Sequence, residues 1–302
     1  MNVRTRKLAL TEGIIAGISF GTAAIFIKFL QDLDAFSIAF WRLIIACLAL
    51  AIILLVLKKS INFGLVRKNL KELAFISVFL GLHFIFFVSA VKDTTILNAT
   101  VLVNTSPIFS MFVSSFLFKL KPSRTAILGL TISFIGVCVI AYAETSASNA
   151  MPNQLGYSSS LKGDLEAVLA ALVEAFYLNY GRKIRSQMNV LSTMIPTYLL
   201  TAAVVGILSV PITNRVLQFQ VNLETLLPLV GLGILPTALA HTLYFSSLSN
   251  LKSFETATMA LLEPIGATVL GIILFQEIPA PQFVIGAALI LYGILFVIKD
   301  KG

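Results

Sequence analysis

Apolar runs about twenty residues long recur along this chain of 302 residues, with mostly short polar joins between them. A membrane-crossing helix needs roughly 17–25 mostly apolar residues to traverse about 30 Å of hydrocarbon. Runs that meet this length fall at about 11–30, 36–57, 71–91, 95–118, 123–142, 163–181, 190–210, 224–248, 254–274 and 280–298. In lipid the backbone must satisfy its own hydrogen bonds, so runs of this length take the form of helices. The expectation is an all-α integral membrane protein of about ten transmembrane helices. The sixth run carries two glutamates, and the seventh and eighth contain Pro196 and Pro236.

Composition points the same way. Hydrophobic residues make up 58% of the chain and charged residues 12%, against about 25% charged in an average soluble domain. No stretch is left over for a soluble domain. The net charge of +8 is spread over the joins rather than gathered into one stripe, which argues against a nucleic-acid partner. Arg4, Arg6, Lys7, Lys58, Lys59, Arg67, Lys68, Lys71, Lys119, Lys121, Arg124, Arg182, Lys183, Arg185, Lys252, Lys299 and Lys301 fall on one side of the alternating path. The other side keeps Lys28, Lys92, Lys162 and Arg215. By the positive-inside rule both termini are cytoplasmic, in a multi-pass protein of the plasma or inner membrane. The first run is long for a signal-peptide core and lacks a convincing cleavage site, so it is taken as the first span. Cys47 and Cys138 lie inside apolar runs and suggest neither a disulfide framework nor a metal site.

An internal repeat sharpens this picture. At an offset of 157, Pro107 falls on Pro264, Pro122 on Pro279, Gly129 on Gly286 and Gly136 on Gly293. After one gap, an offset of 158 pairs His83 with His241, Phe87 with Phe245, Ser89 with Ser247 and Thr100 with Thr258. The predicted division is a first five-helix half over 1–142, a Ser-rich extracytoplasmic linker over 143–162 and a second five-helix half over 163–302. An odd number of spans in each half makes the second inverted relative to the first. Inverted repeats with a site near the midplane are a transporter architecture.

Several local patterns resemble one family. FWRLIIA (40–46), NATVLVNTSPIF (98–109), and ATMALLEPIGATVLG (257–271) followed by Gln276 and Glu277, are similar to the EamA-like branch of the drug/metabolite transporter superfamily. The glycine-bearing last runs of each half complete the likeness, which covers essentially the whole chain. That family often places a glutamate at the end of span four as well as span nine. Glu277 fits, whereas Leu120 stands at the corresponding first-half position. The resemblance implies a carrier of small metabolites, amino acids or drugs.

Ionisable groups inside hydrocarbon are costly and tend to face a cavity or a partner. His83 and His241, the only histidines, occupy equivalent repeat positions, with Phe86 and Phe87, or Tyr244 and Phe245, at i+3 and i+4. Two readings follow: paired aromatic and imidazole surfaces lining a central cavity and coupling transport to protons, or histidines that only fix helix packing. Glu263 precedes Pro264, whose ring frees a backbone carbonyl. It either binds a substrate cation or proton, or sits protonated against that backbone. Glu174, with Tyr177 at i+3, divides the same way. Arg42 beside Trp41 either attracts an anionic group or snorkels to the interface. Asn104, with Thr100, Ser106 and Ser110, either lines a polar path or joins helices. Gly13, Gly17 and Gly21 form a GxxxGxxxG packing ridge.

These residues define a secondary transporter working by alternating access around a site between the repeats, with a channel or a non-transport membrane scaffold as the alternative. The chain has no GxxxxGK[ST] loop, no HExxH and no paired intramembrane aspartates, so neither ATP-driven pumping nor hydrolysis is expected. No cofactor or metal is expected. The partners are a small-molecule substrate and the lipid bilayer, in a monomer or homodimer.

Overall fold

The polar joins stop where a side chain can cap the next helix. Asp34, Thr95, Ser160, Asn189 and Asn222 each accept a hydrogen bond from a backbone N–H in the first turn that follows, which satisfies donors a helix otherwise leaves open. The computed structural model describes residues 5–148, 160–213, 222–275 and 281–299, and among these no strand occurs. The long helical stretches are α1 (Arg6–Lys28), α2 (Ala35–Val56), α3 (Leu70–Asp93), α4 (Ile96–Leu117), α5 (Arg124–Ser148), α6 (Leu161–Arg185), α7 (Val190–Ser209), α8 (Leu223–Ser247), α9 (253–275) and α10 (Pro281–Ile298). Eight of these are long and apolar enough to cross a membrane on length and composition alone. The other two are α6, which is the most polar, and α9, which is broken within its length. Helix α6 carries Lys162, Asp164, Glu166 and Glu174, and α9 is interrupted by a 3-10 turn at Ala260–Leu262. Helix α5 runs to Ser148, past the boundary expected at 142, and residues 149–159 of the expected linker lie outside the described residues.

Large apolar side chains such as Leu48, Ile52, Leu55, Phe116, Ile207 and Val284 are exposed on the outside of the bundle, where only lipid makes them stable. Inside, α1 packs on α8 while α6 packs on α3, and α2 packs on α7. Helices α5 and α10 pair with each other through small residues. A Cβ on Gly129 would meet the carbonyl of Gly293, and one on Gly136 would meet the carbonyl of Gly286. The GxxxGxxxG ridge of α1 lies against α9: a Cβ on Gly17 would collide with the carbonyl of Met259, and one on Gly21 with the backbone of Glu263 and Ala267. Packing is thus the role the ridge fills, through direct backbone approach.

Polar contacts tie both ends of the bundle. At one end the Arg6 guanidinium bridges the fully buried Glu255 carboxylate at 2.6 Å and donates to the Ile298 carbonyl at 3.0 Å. This places the first and last helices' outer ends on the same face. At the opposite end Lys92 Nζ donates to the carbonyls of Leu30, Gln31 and Leu33. There Asp164 accepts from Thr94 Oγ1 at 2.8 Å and Asn98 Nδ2 at 3.1 Å, and Lys162 pairs with Asp93 at 2.6 Å.

Candidate functional site

Three irregularities in the helices open the centre of the bundle. In α4 the regular helix breaks between Val103 and Ser106, just before Pro107. In α9 the 3-10 turn ends at Glu263, before Pro264. In α8 residues Gly233–His241 wind as a π-helix around Pro236. Proline leaves the carbonyl four residues earlier without its amide partner. Thr237 Oγ1 takes up the Leu232 carbonyl at 2.6 Å, and Tyr198 donates to the Thr237 carbonyl at 2.8 Å. Wide π turns inside α-helices are frequent at functional sites because they shift a side chain out of register.

The breaks surround a cavity of about 40 Å³ lined by Phe20, Ala23, Arg42, His83, Phe84, Phe87, Val103, Asn104, Glu174, His241, Ala260 and Glu263. Its two imidazoles approach with ring centroids 5.9 Å apart, edge to face. The Ala170 carbonyl can only accept, so His83 Nδ1 donates to it at 3.1 Å, and a neutral ring then keeps Nε2 as an acceptor. Phe87 stacks parallel to His83 at 6.1 Å, while Phe20 and Phe84 each meet His241 edge-on at 4.8 Å. On one wall Arg42 lies over Phe84, its guanidinium carbon 4.1 Å from the ring centroid, and its Nε donates to Thr237 Oγ1 at 2.9 Å. Only 1% of Arg42 is exposed, so the snorkelling alternative does not describe it. On the other wall Glu263 Oε2 accepts from Asn104 Nδ2 at 3.3 Å, and that amide also donates to the Thr100 carbonyl at 2.7 Å. Glu263 also borders a second cavity of about 60 Å³ between α1, α4, α5 and α9, where Thr100 lies.

Of the twelve residues expected at the site, Arg42, His83, Phe87, Asn104, Glu174, His241 and Glu263 line the central cavity. Tyr244 stands just behind the lining, edge-on to Phe20 at 5.1 Å. Phe86 turns into apolar packing, and Trp41 lies edge-on to Phe40 at 5.5 Å. Tyr177 and Phe245 pack together at 5.7 Å, with the Tyr177 hydroxyl on Met194 Sδ and the Phe245 ring against Gly181. The split follows helix geometry. Residues i+3 and i+4 lie about 60° and 40° to opposite sides of residue i, so a narrow cavity meets one and not the other. Sequence reasoning missed Phe20, Phe84, Ala23, Val103 and Ala260; the only hint was the adjacency of Phe84 to His83. Glu277 lies outside the described residues. Among the described residues no cluster of His, Cys, Asp and Glu could hold a metal ion.

Fold and cavity together define a polytopic membrane protein with a polar pocket enclosed by helices from both parts of the chain. The chain belongs to the EamA-like transporter family, which it matches over residues 8–142 and again over 161–299. It is 28% identical over 306 residues to an uncharacterized transporter of Archaeoglobus fulgidus, covering 97% of each chain. It is 23% identical over 300 residues to the uncharacterized transporter YxxF of Bacillus subtilis, covering 99% of this chain and 92% of that one. A solved crystal structure shares the fold at a TM-score of 0.77 with 18% identity, over 97% of this chain and 96% of the other.

Proposed function

We propose that this protein is a secondary carrier of a small metabolite, amino acid or drug-like solute, working by alternating access about the central cavity between two halves that are inverted relative to each other. The observation that carries this reading is the meeting of His83 and His241. They are correspondents in the internal repeat, and they face each other inside an enclosed cavity that also holds two carboxylates and a guanidinium. The contacts of α5 and α10 support it. Gly129 approaches Gly293, the correspondent of Gly136, and Gly136 approaches Gly286, the correspondent of Gly129. Such an exchange is what a two-fold relation between halves produces. Broken helices beside the cavity support it further, since carriers build midplane sites from discontinuous helices.

A cavity of about 40 Å³ holds one or a few waters. A solute therefore enters only when helices around the cavity part, which is the movement alternating access requires. In this reading the termini face the cytoplasm, and the histidines and glutamates are the groups through which protons couple to transport.

Counterflow in proteoliposomes tests the proposal. A carrier gives saturable uptake that unlabelled solute inside the vesicle stimulates, whereas a channel gives flux without that stimulation. His83→Ala and His241→Ala each alter the apparent affinity or the pH dependence. Absence of saturable flux for every amino acid, nucleoside and organic cation tried overturns the carrier reading.

A further inference from the structure

The Arg42 guanidinium is the one fixed cation among the residues that line the cavity, and it is incompletely satisfied. Its Nε bonds the neutral hydroxyl of Thr237 and its face covers Phe84, but Nη1 is buried without a hydrogen-bond partner. Arg42 forms no ion pair among the described residues, although Glu174 and Glu263 border the same cavity. Burying a guanidinium away from any counter-ion is unfavourable, and proteins normally avoid it by pairing the charge. A second polar atom shares this predicament. His241 Nδ1 is buried and unpartnered, and the His241 ring touches the same Phe84 ring that Arg42 covers. One group comes from α2 and the other from the last residue of the π-helical segment within α8, so the two lie on opposite parts of the duplicated chain.

We infer that Arg42 and His241 form the anion subsite of the central cavity, and that the transported solute carries a carboxylate that occupies it. A guanidinium offers parallel N–H donors that match the two oxygens of a carboxylate, and Nδ1–H of His241 supplies a further donor in one tautomer. The subsite fits a monoanion better than a phosphate dianion. It has a single permanent cation, which balances one negative charge and leaves a second without a partner. Phe84 serves as the shelf that holds both donors in place. This inference rests on the central cavity being the solute site, and it adds the chemical class of the solute and the residues that select it.

The test is static binding to the purified full-length chain in detergent, which needs no transport. Acetate, butyrate, benzoate and inorganic phosphate are titrated at fixed ionic strength, with chloride as the control. The readouts are the thermal unfolding midpoint and the fluorescence of Trp41, the only tryptophan and the neighbour of Arg42. At least one carboxylate raises the midpoint saturably above chloride and above phosphate. Arg42→Gln weakens that response about tenfold or more, and His241→Gln weakens it severalfold. Should Arg42→Gln not fold, Arg42→Lys decides: it keeps the charge, loses the planar fork and binds the carboxylate more weakly. The inference is overturned if no carboxylate exceeds chloride, if phosphate binds more tightly than every carboxylate, or if the folded Arg42 variant binds like the wild type. Saturable carboxylate binding without counterflow removes the carrier reading and leaves the subsite. Counterflow of cationic solutes without any carboxylate response does the reverse.

Discussion

Ser133 donates its hydroxyl proton to the carbonyl of Ile290 across the α5–α10 contact at 3.1 Å, and the two residues are 157 positions apart. That separation is the offset that superimposes the two parts of the sequence, so a residue here touches its own correspondent. His83 and His241 do the same in the cavity. Both pairs mark the axis of the proposed inversion.

Ser133→Ala removes one buried hydrogen bond and leaves the Ile290 carbonyl in its helix. The expected cost is about 1 kcal/mol, read as a small drop in the thermal unfolding midpoint. Gly293→Val costs more, because a Cβ there meets both Ser133 and the Gly129 carbonyl. A midpoint for Gly293→Val at or above that of Ser133→Ala contradicts the close packing of α5 on α10.

Gly17→Val is expected to destabilise the fold by roughly 1–3 kcal/mol or more, because overpacking against a main chain has no side chain to displace. The colliding atom is the Met259 carbonyl oxygen. Gly64→Ala is the control: its Cβ meets only the Asn62 side chain at 3.4 Å, and its midpoint stays within the scatter of the wild type.

Arg6→Ala leaves the fully buried Glu255 carboxylate accepting from the Lys252 amide at 2.6 Å without its guanidinium partner. Arg6 itself is partly exposed, which moderates the loss to about 1–2 kcal/mol. Adding Glu255→Gln to Arg6→Ala costs less than the two single losses combined, since the pair is shared. Full additivity in a double-mutant cycle contradicts the bridge.

Glu263→Gln keeps an oxygen for the Asn104 amide and removes the acid. The protein folds with nearly the wild-type midpoint, while saturable counterflow falls by about tenfold or more. Equal flux in the variant assigns Glu263 to packing between α4 and α9.

How far the sequence revealed this molecule depends on which property is asked for. Hydropathy located the long stretches because lipid demands length, and the repeated prolines and histidines linked positions far apart in the chain. Rotation about each helix axis was less legible. A helix in lipid is apolar on every side, so no polar face indicates which way Phe86 or Phe245 turns. Polar groups escape that ambiguity, which is why Arg42, His83, Asn104, Glu174, His241 and Glu263 were found and Phe20 and Phe84 were not. The π-helix at Gly233–His241 was also illegible, because Pro236 signals a disturbed helix without saying how the backbone absorbs it.

The glycine ridge of α1 sets which parts of the bundle can travel separately. Where Gly17 and Gly21 bring one main chain onto another, no layer of side chains lies between α1 and α9 to shear across. The two helices are in effect one plank, built from opposite ends of the sequence. Any opening of the cavity must carry that plank whole and bend at its joints, beginning with the break in α1 at Gly21 and Thr22.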